Sequence, residues 1–169
     1  MQIRQAKIGD YRGIYRLVKT AFAAAKVSDG TEQDLVLALR AGTGYIPPLE
    51  LVAEQENGLA GHVMLTRLGL TETNRDVRAL LLAPLCVRPE EQARGVGGAL
   101  VRAGFDRARQ LGYEAAFLVG DPAYYRRFGF RPVEQLGLHN ASCIPAPYVQ
   151  GVALREGALD GLRAAVHLA

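Results

Sequence analysis

At 169 residues, with 49% hydrophobic and 22% charged positions, the chain is long enough to bury a core and too apolar to be disordered. Lys and Arg outnumber Asp and Glu by 20 to 17, a net charge of +3 without any long run of like charge, which suits an anionic small molecule as well as a nucleic acid. Cys86 and Cys143 lack the C-x-x-C spacing of a zinc or redox site and sit beside apolar neighbours, so both read as small buried hydrophobes, and no metal is expected. Met1-Gln-Ile-Arg-Gln lacks the apolar stretch of a signal peptide, and no segment approaches the ~20 apolar residues of a membrane span. The expectation is a cytoplasmic chain without a membrane partner.

No repeat, linker or low-complexity tract interrupts residues 1–169, which are read as one domain. Gln2 to Ala6 reads as a short strand. Asp10 then caps a helix carrying Ile14, Leu17, Val18 and Phe22 at helical spacing. Thr31 caps a second helix with Leu35, Val36 and Leu39 on its inner face, ended by Gly42-Thr43-Gly44 and kept closed by Pro47-Pro48. Strands Leu51 to Gln55 and Ala60 to Leu70 flank Asn57-Gly58, a hairpin signal. A third strand, Val77 to Val87, follows the polar stretch Thr71 to Asp76. A glycine-rich loop leads into a helix, Gly97 to Leu111, closed by Gly112. Ala115 to Val119 reads as a strand, Pro122 to Phe128 as a short helix, Phe130 to Val133 as a strand and Tyr148 to Arg155 as the last strand. The order specifies a mixed α/β domain with one central sheet.

The most informative stretch runs from Leu80 to Leu100. A strand ends near Val87, a loop follows, and a helix begins around Gly95. The first turn of a helix leaves its N–H groups unpaired and its dipole makes that end positive, while glycines remove side chains that would keep a ligand away. Such a start holds a phosphate or pyrophosphate, or serves only for close packing on a sheet. A P-loop is excluded because no Lys-Ser or Lys-Thr follows the glycines. A dinucleotide fingerprint fails because Leu100 takes its third glycine position; Glu114 has the spacing of a ribose acid but follows Gly112 at a helix end.

Gln92-Ala93-Arg94-Gly95-Val96-Gly97 resembles the acetyl-CoA signature of the GNAT N-acetyltransferases, Q/R-x-x-G-x-G/A, and Val87-Arg88-Pro89 is similar to the end of that family's fourth strand. Gly120-Asp-Pro-Ala-Tyr-Tyr-Arg-Arg-Phe-Gly-Phe130 resembles the family's Y-x-x-x-G-F segment, in a variant most like a bacterial subgroup of uncharacterised predicted N-acetyltransferases. The resemblance runs from Gln2 to about Val133 and becomes vague beyond. It implies a single, mostly antiparallel mixed sheet flanked by helices, with acetyl-CoA as co-substrate. The main chain of Leu85, Cys86 and Val87 would pair with the pantetheine arm, and the amides of Ala93, Arg94, Gly95, Val96, Gly97 and Gly98 would hold the pyrophosphate. Arg94 either adds charge there or makes no contact.

By the same resemblance, a backbone N–H near Val87 polarises the thioester carbonyl and Tyr125 protonates the leaving thiolate. The competing reading makes Tyr125 a half-buried residue whose hydroxyl bonds a nearby carbonyl. Tyr124 points about 100° away on the helix and reads as structural or substrate-lining. No general base is visible: the strand Ala115 to Val119 holds no carboxylate, and Glu72, His62, Asp76 and Glu114 lack a distinguishing context. Asp121-Pro122 replaces the family's usual asparagine, which leaves open one contact to the coenzyme that the resemblance implies. Cys86 has no histidine near it in sequence to activate it as a nucleophile. Three readings stay open: an N-acetyltransferase acting on a small-molecule or peptide amine, a silent acetyl-CoA sensor, and an enzyme acetylating charged transfer RNA, nucleic acid being the weakest. Val149 to Leu154 is an apolar candidate edge for a homodimer.

Overall fold

The computed structural model describes residues 1–25 and 28–168. Nine strands and four helices occur in the order β1 (Gln2–Gln5), α1 (Tyr11–Ala23), α2 (Glu32–Ala41), β2 (Glu50–Gln55), β3 (Gly58–Leu68), β4 (Ala79–Val87), α3 (Val96–Gln110), β5 (Ala115–Val119), α4 (Pro122–Tyr125), β6 (Arg131–Pro132), β7 (His139–Asn140), β8 (Val149–Ala153) and β9 (Ala165–Val166). Seven strands form one mixed sheet in the order β1-β2-β3-β4-β5-β8-β6, mostly antiparallel, with β4 parallel to β5. β7 and β9 form a separate parallel pair. The chain divides into two compact units, residues 1–66 with 83–107, and residues 67–82 with 108–169.

In the first unit, strand alternation sends successive residues of β3 to opposite faces. Met64 joins Val52, Cys86 and the helix residues Ile14, Leu17, Val18 and Val36 in one apolar cluster. Gly61 and Leu65 face α3 instead. A Cβ at Gly61 would lie 2.8 Å from Leu100 Cδ1 and 3.0 Å from Val96 Cγ1, and one at Gly104 would lie 2.9 Å from Leu65 Cδ1. These two glycines let α3 seat against the strand, and Val96 at its first position is part of that seat.

Two expected caps are replaced. The Asp10 carboxylate accepts from the Lys7 N–H at 2.7 Å and from Arg4, closing the short turn before α1, and the Thr31 hydroxyl donates to Asp29. On α2, Val36 is buried but Leu35 is exposed; the inward place falls to Gln33, whose amide donates to Gly30 O at 2.8 Å. The hairpin turn is Glu56-Asn57, one residue earlier than the Asn-Gly pair suggests, because Gly58 already pairs with Gln55.

The second unit packs Phe117, Ala115, Ala79 and Val149 beneath Val133, Leu138, Leu159, Leu162, Val166 and Leu168. This cover is largely irregular backbone, tied down by the pair of β7 and β9 and by the stretch Thr71 to Arg75. Thr71 bridges Ala165, Asn74 bonds Gly161 O and Arg163 N, and the Arg75 guanidinium donates to Ala158 O at 2.7 Å. One expectation is narrowed here and one corrected. Of the edge expected at Val149 to Leu154, Gln150 and Gly151 are covered within the chain, where β8 pairs with β6. Cys143 is exposed, not a buried hydrophobe.

Candidate functional site

The expected coenzyme residues fall together in the first unit. β4 pairs with β5 only over Ala79 to Leu81 among the described residues, so the register stops before Leu85, Cys86 and Val87. The chain then makes a single turn at Pro89–Glu91 and a reversal from Gln92 to Gly95 before α3 starts at Val96. Ala93 and Gly95 both take positive φ, 61° and 86°. Such a conformation is routine for glycine and uncommon for alanine, so the loop is held by its surroundings. The Gln92 amide donates to Val87 O at 3.3 Å. The Arg88 guanidinium donates to Leu59 O, Gln55 and Asn57, fastening the loop to the β2–β3 hairpin. Arg88 is the positioning residue that sequence reasoning missed; its place inside Val87-Arg88-Pro89 was its one signal.

The first helical bond of α3 runs from Ala99 N–H to Gly95 O at 3.0 Å. The N–H groups of Val96, Gly97 and Gly98 precede it and carry the positive end of the helix dipole. A Cβ at Gly95 would meet nothing within 4 Å, and the nearest atoms to one at Gly98 would be those of the flexible Arg102 guanidinium, at 2.9 Å. Gly97 is buried and Arg94 is exposed, 3.9 Å from Glu91. The Cys86 side chain lies in the apolar cluster under α1 and α2, and burial pushes its thiol up to about 12. A thiol held protonated is no nucleophile at neutral pH, and only the main chain of Cys86 is available at the strand surface.

Behind β2 and β3 the same unit buries a charged group. Glu50 and His62 are fully buried. The Glu50 carboxylate accepts from Arg40 at 2.5 and 3.2 Å, from the Tyr45 hydroxyl at 2.6 Å and from His62 Nε2 at 3.0 Å. Burial alone would raise the Glu50 carboxyl, but the bonds from His62, Arg40 and Tyr45 outweigh it and hold it at about 2. Burial lowers the His62 pKa, so its ring is neutral and its Nε2–H is committed to Glu50. Arg40 stacks on the Tyr11 ring at 3.6 Å. The network ties α1, α2, the Tyr45 loop, β2 and β3 together.

Tyr125 belongs to the second unit. Asp121, with Pro122 after it, starts α4: its carboxylate accepts from the Ala123 N–H at 2.9 Å. Asp121 thus fills a helix-capping role that asparagine would fill equally well. The α4 turn ends through Gly129 at φ 92°, and buried Phe130 then meets the Tyr125 ring edge-on at 5.8 Å. A Cβ at Gly120 would lie 2.5 Å from the Tyr125 ring, so the glycine at the end of β5 provides the seat for that ring. Burial, then the neighbouring Tyr124, raises the Tyr125 pKa above its ordinary value, and the phenol stays protonated. Its hydroxyl bonds no carbonyl among the described residues. Tyr124 instead carries the Arg127 guanidinium over its ring at 4.4 Å. Glu114 is paired with Arg155, and no cluster of three or more His, Cys, Asp or Glu suited to a metal occurs among the described residues.

Comparison with known proteins agrees with this geometry. A family model described as an acetyltransferase (GNAT) domain matches residues 2–133. The uncharacterised N-acetyltransferase YjhQ of Escherichia coli K12 is 37% identical over 117 residues, covering 69% of this chain and 62% of YjhQ, so less than two thirds of that relative is spanned. The uncharacterised N-acetyltransferase YhbS of the same strain is 32% identical over 135 residues, 79% of this chain and 74% of YhbS. The crystal structure of E. coli YhbS in complex with CoA superposes with a TM-score of 0.85 at 28% identity, over 99% of this chain and 89% of that one. A GNAT family acetyltransferase from Brucella melitensis in complex with acetyl-CoA gives 0.73 at 30% identity, over 90% and 86%. No helix among the described residues is long and apolar enough to cross a membrane. From the loop geometry, the family match and these relatives together, the chain belongs to the GNAT acetyltransferase family.

Proposed function

We propose that residues 1–169 act as one acetyl-CoA-dependent N-acetyltransferase domain, moving the acetyl group by direct transfer to a primary amine of a small molecule or peptide. The observation that carries this reading is the start of α3, where three N–H groups precede the first helical bond and Gly95 and Gly98 present no side chain. A pyrophosphate fits that space. Ala93 to Gly98 would hold it, and the main chain of Leu85 to Val87, beyond the end of the β5 register, would pair with the pantetheine arm. Acetyl-CoA supplies the activated acyl group and a thiolate leaving group.

Two tasks fall to the chain itself. A main-chain N–H near Val87 donates to the thioester oxygen, where negative charge develops. Tyr125, protonated because burial disfavours its phenolate, donates to the departing sulfur. His62 is committed to Glu50 inside the core and Glu114 to Arg155, so no base is assigned; the proton of the amine leaves to solvent and solvent returns one to Tyr125. The test is thiol release from acetyl-CoA across a panel of primary amines. Release with at least one amine supports the reading; CoA binding with no release from any amine favours a sensor instead.

A further inference from the structure

Among the described residues, the second unit buries one polar side chain that the proposed chemistry does not use. Gln150, on β8, is fully buried and sits opposite Leu118 of β5. Its Nε2 donates to Gly120 O at 2.8 Å and to Tyr148 O at 3.5 Å. Two carbonyl acceptors on one side fix which end of the amide is nitrogen. Oε1 then faces the other way and has no partner among the described residues. A buried acceptor without a donor is destabilising, and a leucine or methionine of similar size would avoid that cost. What sets the amide apart from an apolar side chain of that size is what its nitrogen holds.

What it holds is Gly120. That residue carries the Tyr125 ring: a Cβ there would lie 2.5 Å from Tyr125 Cε2 and 3.3 Å from Leu118 Cδ1. Gly120 is also the first residue beyond β5, where regular pairing has ended, and its N–H is taken by Tyr148 O at 3.1 Å. The Gln150 amide thus pins the carbonyl of a glycine against which the Tyr125 ring packs, a ring that also meets Tyr124, Phe128 and Phe130. We propose that Gln150 is a positioning residue that fixes the Tyr125 phenol by clamping the Gly120 carbonyl. The inference rests on the reading of Tyr125 as the proton donor to the thiolate.

The experiment combines rate and spectroscopy. Thiol release from acetyl-CoA, with the most active amine of the panel, is measured for the unmodified chain, Gln150→Met, Tyr125→Phe and the double variant. Gln150→Met lowers kcat roughly tenfold with KM for acetyl-CoA unchanged, and causes no further loss once Tyr125 is already phenylalanine. Additive losses in the double variant overturn the proposal. Gln150→Leu, which also removes the amide donor at similar volume, gives the same loss if Gln150→Met folds poorly, and full activity of that variant overturns the proposal. Independently of any acceptor, 3-fluorotyrosine is placed at position 125, and its ¹⁹F resonance shifts or broadens in Gln150→Met. An unchanged resonance contradicts the clamp. A shifted resonance with an unimpaired Tyr125→Phe enzyme would overturn the proton-donor reading and leave the clamp standing.

Discussion

The two units bury their polar groups in opposite ways. In the first, Gln33, Glu50, His62 and Thr66 are buried, and Glu50 is surrounded by Arg40, Tyr45 and His62 until every lone pair direction is answered. In the second, the buried polar side chain among the described residues is Gln150, and the rest of the core is apolar, from Phe117 to Leu168. The first unit holds helices and strands together by a desolvated charge and presents a stiff loop of main-chain donors. The second holds irregular backbone by hydrophobic cover and presents one tyrosine on a glycine. On the proposed function, a binding loop needs many fixed donors, whereas a proton donor needs one group in one place, and the two units differ in that sense.

Four measurements test this contrast, beginning with the largest effect. Phe117→Ala removes a fully buried ring from the second unit and should cost ~3–5 kcal/mol, with amide exchange accelerating first in residues 108–168. Arg40→Met strips the main counter-ion from buried Glu50 and should cost ~3 kcal/mol, with exchange accelerating in residues 32–66. If both variants open the same peptides, the units do not differ as described. Tyr125→Phe should lower kcat by at least ~10-fold with acetyl-CoA affinity unchanged, while Tyr124→Phe stays close to the unmodified rate. The smallest effect is on pH. Glu50 has a folded pKa of about 2, below the ordinary carboxylate value, so its stabilisation is complete above that ordinary value and is lost as pH falls toward 2. His62, lowered by burial from 6.5, contributes above 6.5 and loses its contribution as pH falls below it. Acid should therefore open the first unit before the second, and Glu50→Gln should flatten that dependence below pH ~4.5.

Much of the first unit was legible in the sequence because its signals are local. Gln92 to Gly97 encodes a helix start whose glycines need no distant partner to be recognised, and strands β2 to β4 announce themselves by apolar runs and a turn. Its buried network was not legible, since Arg40, Tyr45, Glu50 and His62 meet only after two helices and a hairpin fold together. Leu35 and Gln33 exchanged places for a related reason: a helix of ten residues has a face set by what it packs on, not by its own period. In the second unit the short helix and Gly129 were legible. The cover from Val133 onward was not, because two-residue strands and irregular backbone carry no period. Gln150 could not be singled out either. A glutamine in an apolar strand acquires meaning only from the carbonyls that its nitrogen reaches.

The central claim is that the start of α3 holds the phosphates of the coenzyme, and calorimetry tests it most directly. CoA should bind the chain, and pantetheine without its phosphates should bind much more weakly. Gly98→Val, whose Cβ has the flexible Arg102 guanidinium as its nearest neighbour, should lose CoA affinity while thermal unfolding stays near that of the unmodified chain. Equal affinity for CoA and pantetheine would contradict the account, because the helix start would then contribute nothing to the ligand.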